Sequence, residues 1–352
     1  MKSTFLCAAV LLGCAPNLPP AYVHARDAAE SAYASGHFPE AGQSWLEAAK
    51  TADTPRDRSD ARYRAAASYE RAGDLGRARE LYTLLASGHS DRAARAAFTL
   101  ADLQIQGGSE TGGYAALEAA IRKYPASGVA TLAYRRYFGF LAAQGGDQAV
   151  LDYIARVLPE LGSGELGEQL RYERARRFDA LGNVTEAREA YVDLADRYPY
   201  PHGAYWDDAL LRGAECDVRL GHPERALSLL ERMLAARETS RLSGSYERPH
   251  FADAAYRVAE LYRDALHDPA AARRAFHSVF VNYPTSTLRD DALWQEALIL
   301  RAAGPNQACA PLSLLVRQLP DSRFAPCAHE ICSAIRPIAE RQCRDYIEAT
   351  LK

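Results

Sequence analysis

Apolar and small residues recur along the chain in steps of three, four and seven, the spacing of one stripe on a helix. Ala29, Ala66, Ala101, Phe138, Ala175, Ala214 and Ala297 each stand seven residues before a glycine, namely Gly36, Gly73, Gly108, Gly145, Gly182, Gly221 and Gly304. The first six glycines lie 37, 35, 37, 37 and 39 residues apart. Five residues after each glycine comes a second position, mostly small: Ala41, Ala78, Gly113, Val150, Ala187, Ala226 and Cys309. Four further on stand Trp45, Tyr82, Leu117, Ile154, Tyr191 and Leu230, and three beyond those Ala48, Leu85, Ala120, Val157, Leu194 and Met233. The pattern predicts a repeated unit of helix, tight turn, helix, with glycine where the turn needs a left-handed residue and small side chains where the two rods touch.

Proline closes several units, in Tyr124-Pro125, Tyr198-Pro199 and Tyr283-Pro284, where it stops the second helix. One unit carries His267 in place of the turn glycine but keeps Ala272, Phe276, Val279 and Pro284. Residues 238–250 are polar and read as a surface loop. The paired acids Asp207-Asp208 and Asp290-Asp291 fall at predicted helix starts, where negative charge complements the helix dipole.

On these residues the chain resembles the tetratricopeptide repeat (TPR) family. That resemblance implies an all-α, TPR-like α-solenoid, a right-handed superhelix of about eight repeats over residues 21–322, ended by a capping helix pair over residues 323–352. It also implies that the first helix of each unit lines a concave face. Counting back ten from each turn gives Arg26, Tyr63, Phe98, Arg135, Tyr172, Leu211, Arg257 and Trp294 as the expected protein-binding groove. The alternative for any of them is packing between neighbouring helices. The Tyr-Pro to Asp-Asp-Ala-Leu segments at residues 198–210 and 283–293 resemble repeats of BamD-type outer-membrane assembly lipoproteins and of the Tol-Pal-associated periplasmic coordinator of envelope constriction.

The amino end has different chemistry. Lys2, an apolar run over residues 5–12 and then Leu11-Leu12-Gly13-Cys14 read as a cleaved export signal, residues 1–13, too short to span a bilayer. The tetrapeptide resembles the lipobox of bacterial lipoproteins, which implies that Cys14 is lipidated and that residues 14–20 form a Pro-rich tether. Ala15, rather than Asp, after that cysteine implies sorting to the outer membrane, with the body facing the periplasm.

An oxidising compartment makes disulfides the default for Cys309, Cys327, Cys332 and Cys343. With hairpin midpoints near Ser322 and Arg336, pairing Cys309 with Cys332 and Cys327 with Cys343 leaves an axial mismatch of roughly 4.5 Å. Pairing Cys309 with Cys327 leaves about 12 Å, while Cys332 with Cys343 is also geometrically possible. The spacings lack the paired C-x-x-C of zinc modules, so no metal site is expected. Cys216 should be a buried free thiol.

Composition narrows the function. With 42 Lys plus Arg against 45 Asp plus Glu and a net charge of −3, nothing favours nucleic acid as a partner. The 9 His are scattered, and H-E-x-x-H, G-x-S-x-G and P-loop motifs are absent. The expected protein is therefore no enzyme, takes no cofactor or small-molecule substrate, and serves as a lipid-anchored periplasmic adaptor for envelope or outer-membrane proteins. The alternatives are a coordinator of division and peptidoglycan synthesis and, more distantly, the accessory solenoid of a peptidoglycan lyase.

Overall fold

The computed structural model describes residues 18–236, 250–338 and 341–351. Cys14, the export signal, most of the tether and most of the predicted loop at 238–250 lie outside the described residues. Pro20, expected to end the tether, already begins a helix, and His250, expected to end the loop, begins another.

The chain divides into two compact units, residues 1–144 and 145–352. The first holds α1 (Pro20–Ala34), α2 (Phe38–Thr51), α3 (Pro55–Arg71), α4 (Leu75–Ala86), α5 (Asp91–Gln106) and α6 (Glu110–Lys123). Then α7 (Gly128–Leu161) runs across the boundary, broken at Gly145 and Gly146. The second unit continues with α8 (Gly164–Ala180), α9 (Val184–Arg197), α10 (Trp206–Arg219), α11 (Pro223–Ala235), α12 (His250–Asp264), α13 (Pro269–Asn282), α14 (Arg289–Ala303) and α15 (Cys309–Gln318). The described residues contain no strand. Consecutive helices pack as hairpins, and first helices of neighbouring hairpins also touch, α3 with α5 and α10 with α12. Each unit is an all-α, TPR-like stack of hairpins.

Turn chemistry explains the period. Gly36, Gly73, Gly108, Gly182 and Gly221 adopt φ of 76 to 86°, a region that costs L-residues with a Cβ roughly 1–2 kcal/mol. The amide after each one reaches back five residues, as in Asp74 N–H to Tyr69 O at 2.9 Å and His222 N–H to Asp217 O at 2.8 Å, so the carbonyls at the helix end are satisfied. In the fourth repeat the residue with positive φ is Gly146 at 68°, not Gly145, whose φ is −149°. His267 does take the glycine's place, at φ 52°. Its turn is one residue wider, closed by Asp268 N–H to Tyr262 O at 2.8 Å. Gly304 sits at φ 150° and leads into a 3-10 turn, Pro305–Ala308.

The predicted stripe is the core. Ala41, Ala78, Ala187, Ala226 and Ala272 are 0 % exposed, and Trp45, Tyr82, Leu117, Tyr191, Leu230 and Phe276 are buried beyond them. Gly113 shows why the crossing must be small, since a Cβ there would lie 2.4 Å from Ile105 Cγ1 and 2.7 Å from its backbone nitrogen. The closing tyrosines tie one hairpin to the one before. Tyr124 Oη lies 2.7 Å from Ala86 O and 2.8 Å from Gly88 O, and Tyr198 Oη donates to Gly162 O at 3.2 Å. The paired acids do more than complement helix starts: Asp290 accepts from Ser322 Oγ at 2.8 Å, and Asp291 pairs with Arg323.

The carboxyl end departs from the expected helix pair. Beyond α15 come a 3-10 turn, Ala325–Cys327, and two single-turn helices, α16 (Ala328–Ile331) and α17 (Asp345–Glu348). Pro326 and Pro337 interrupt this stretch, and segments this short do not hold a helix by themselves. Two disulfides hold it instead. Cys309 joins Cys332 with Cα atoms 5.2 Å apart, and Cys327 joins Cys343 at 4.6 Å. Phe324, Ala325, Ile331 and Ile347 thereby cover Leu293, Trp294, Ala297 and Leu312. Cys216 is buried and free, as its isolation in the sequence suggests.

Because the bridges close loops of 23 and 16 residues, replacing Cys309 and Cys332 together by serine is expected to cost about 3 kcal/mol. The loss should appear as an early transition in urea unfolding, with hydrogen exchange rising first around Trp294 and Phe324. A single late transition, unchanged from the parent, would show that the cap stands without its bridges.

Candidate functional site

The first helices α10 and α12 stand side by side in the second unit, and their outward faces form an open groove. One part of it, a cleft of about 520 Å³, lies between Leu211, Ala214, Glu215, Val218 and Arg219 of α10 and Arg257, Glu260, Leu261 and Asp264 of α12, with Asp179 of α8 at one side. An adjoining cleft of about 420 Å³ shares Leu211, Glu215, Arg257 and Glu260 and extends to Asp208, Arg212, His250, Asp253 and Tyr256. Leu211, Ala214 and Val218 are spaced three and four apart, so one face of α10 supplies an apolar floor. Val218 remains 46 % exposed.

Charge lines the rim. Asp179, Asp208, Glu215, Asp253, Glu260 and Asp264 outnumber Arg212, Arg219 and Arg257. Arg257 bridges the two helices, 2.6 Å from Glu260 and 4.0 Å from Glu215. Arg212 lies 3.5 Å from Asp208 and 3.8 Å from Glu215, and Arg219 pairs with Asp179. Beneath this rim Arg219 also donates to Cys216 Sγ at 3.1 Å, and burial pushes that thiol's pKa up, so Cys216 is held as a neutral thiol. Exposed pairs of this kind contribute little to stability, but they fix the charge pattern that a partner meets.

Of the residues ten before each turn, the structure brings Leu211 and Arg257 into this groove. Tyr172 stands at its border, half-buried, stacked on Tyr205 at 4.2 Å and donating its hydroxyl to Asp208. The others lie elsewhere. Phe98 and Trp294 are 3 % exposed and belong to the core, Trp294 stacked against Phe324 at 4.9 Å. Tyr63 packs on Tyr82 with Arg92 above it, Arg26 pairs with its neighbour Asp27, and Arg135 is exposed. Tyr63 and Tyr172 each meet a residue of the following hairpin and Trp294 meets Phe324 of the cap, so this position mainly joins consecutive segments of the stack. Counting missed Glu215, Val218 and Glu260. Their signal in the sequence is membership of a first helix outside the buried stripe.

The geometry defines a class first: a protein of stacked helical hairpins presenting the sides of its first helices. Residues 253–286, which take in most of α12, its turn and α13, match the tetratricopeptide repeat family (TPR_6). Similar solved structures include the C-terminal part of a TPR repeat-containing protein from Cytophaga hutchinsonii, at 14 % identity and TM-score 0.45, covering 75 % of this chain and 98 % of that one. A tetratricopeptide repeat protein from Parabacteroides merdae is 14 % identical with TM-score 0.32, covering 79 % and 99 %. The P58(IPK) TPR domain is 16 % identical with TM-score 0.25, covering 88 % of each chain. No curated protein matches the chain.

Burial, followed by the nearby carboxylates Asp291 and Glu260, pushes the Tyr256 phenol up to about 12 from its ordinary 10.0. Folding therefore holds its proton. That contribution is complete below pH 10 and is lost as pH rises through about 12. The urea midpoint should fall over that interval, and less so in Tyr256→Phe. Equal falls in parent and variant would contradict the assignment.

Proposed function

We propose that the chain is a lipid-anchored periplasmic TPR scaffold that holds protein partners in the α10–α12 groove and works in outer-membrane or envelope assembly, by binding rather than by catalysis. The observation that carries the binding part is the groove floored by Leu211, Ala214 and Val218, with Val218 exposed, between rims rich in carboxylate. An apolar strip edged by charge is the surface that a partner helix or extended segment covers, with a few central anchors supplying most of the affinity. The acidic excess favours a partner segment with basic side chains beside its apolar ones.

The export part rests on the Leu-Leu-Gly-Cys motif and on the paired cysteines, since disulfides persist in oxidising compartments. Among the described residues no helix is long and apolar enough to cross a membrane. Acyl chains on Cys14 would supply the attachment, several chains holding stably where one does not.

Two substitutions test the two parts separately. Cys14→Ser is expected to abolish palmitate labelling and to leave the protein out of the envelope membrane fraction. A photocrosslinking residue at Val218 should trap defined envelope proteins that the same residue at Val281, more exposed on α13, does not. The added substitution Leu211→Glu should weaken that capture about tenfold or more. Membrane attachment that survives Cys14→Ser would overturn the anchor, and identical adducts from both crosslinking sites would overturn the groove.

A further inference from the structure

A second cleft, of about 640 Å³, opens on another side of the second unit and shares no residue with the groove. Leu158 and Pro159 of α7 and Phe178 of α8 give it apolar walls. Its charged residues balance, with Arg171, Arg174 and Arg197 against Glu186, Glu189 and Asp193. Arg197 and Asp193 neutralise each other at 2.7 Å. The other four are sorted by helix. Arg171 and Arg174 stand three residues apart on α8, and Glu186 and Glu189 three apart on α9, so each pair occupies one face of its rod. Among the described residues none of these four forms an ion pair. Arg171 also keeps a buried Nε without a hydrogen-bond partner. Two positive and two negative groups thus border one space without meeting across it, a dipolar cleft with no net charge.

Such a cleft disfavours simple ions of either sign, because each meets its like charge on the neighbouring helix. It suits a ligand that is itself dipolar, with its charges set farther apart than a contact ion pair. We propose that the cleft binds a phosphoethanolamine group, whose phosphodiester carries one negative charge and whose primary ammonium lies two carbons beyond. The Arg171 and Arg174 guanidinium forks meet the phosphodiester oxygens, to which their planar donors are matched. Glu186 and Glu189 accept the ammonium N–H donors, and the glycerol side of the ligand lies along Leu158 and Pro159. A trimethylated ammonium would lose those hydrogen bonds and would need an open aromatic face in exchange. Phe178, the aromatic residue of the cleft, already carries the Arg174 guanidinium 5.4 Å from its ring centroid. The site goes beyond the groove reading and does not rest on it.

The test is calorimetric titration of the full chain with glycerophosphoethanolamine, with glycerophosphocholine and with inorganic phosphate. The first should bind saturably, with a dissociation constant of about 1 mM or tighter. The choline compound should bind at least about tenfold more weakly, and phosphate should not compete. Glu186→Gln with Glu189→Gln, both exposed positions, should erase the preference for ethanolamine over choline. Arg174→Gln, also exposed, should weaken binding of both compounds about tenfold at an unchanged far-ultraviolet spectrum. The source of the group is read by flotation of the Cys14→Ser chain with phosphatidylcholine vesicles that contain or lack phosphatidylethanolamine. Flotation with the ethanolamine lipid alone assigns the ligand to a membrane surface, and saturable titration without flotation assigns it to a free solute. No saturation, equal affinity for the two amines, tighter binding of phosphate, or undiminished binding by folded Arg174→Gln would each overturn the proposal. Because Val218→Arg should leave this titration unchanged, failure here is distinct from failure of the groove.

Discussion

A two-helix hairpin buries the side that faces its own partner helix and leaves a second apolar flank open to water. The unburied flank is the constraint from which the rest of this structure follows. At about 25 cal/mol per Å² of apolar surface, a flank several turns long outweighs any single hydrogen bond in the unit, so each hairpin must be covered by another. Close coverage requires small residues where rods cross, and Gly42 shows how close the approach is: a Cβ there would stand 2.9 Å from the Tyr69 ring. Directional contacts then set the register. Tyr124 reaches Ala86 and Gly88, Tyr198 reaches Gly162, and Tyr172 reaches Asp208, each spanning roughly one repeat.

The same constraint makes the α14–α15 hairpin a special case, because short segments rather than another regular helix cover Leu293, Trp294 and Leu312. A regular helix could do so only with enough length to nucleate and an apolar stripe of its own. The chain beyond α15 has neither, and its prolines forbid a long rod. Two cross-links bring it down on the exposed flank instead, replacing the cooperativity of a helix with covalent closure of short loops. Trp294 then meets Phe324 where, in an interior repeat, an aromatic would meet the following first helix, as Tyr172 meets Tyr205.

Legibility from sequence follows the same physics. Turn glycines and crossing alanines were readable because backbone geometry restricts the residue type at fixed intervals, and His267 was readable because the positions around it kept the pattern. The choice between Gly145 and Gly146 was not, since adjacent glycines satisfy the same requirement and only packing decides which one turns left-handed. Cysteine pairing was largely readable because a short span leaves few separations compatible with a bridge. The cap's shape was not, since nothing periodic specifies it. The groove was only half readable. Counting from a turn finds positions on the first helix, but the angle between neighbouring hairpins decides whether a side chain there, such as Trp294 or Leu211, is enclosed or presented.

That distinction also separates stability from recognition. Residues at crossings and in the stripe are consumed by stacking, and altering them alters the whole unit. The outward faces of α10 and α12, and the cleft that Arg171 and Arg174 enter, lie beside the stripe rather than in it. Val218 can stay exposed because Ala214 and Leu230 already fill the contact beneath it. A repeat whose neighbours carry the stacking energy is thus free to vary the flanks that face outward. In this chain those flanks bear an apolar strip rimmed with carboxylates in one place and a cleft lined by arginines and carboxylates together in another.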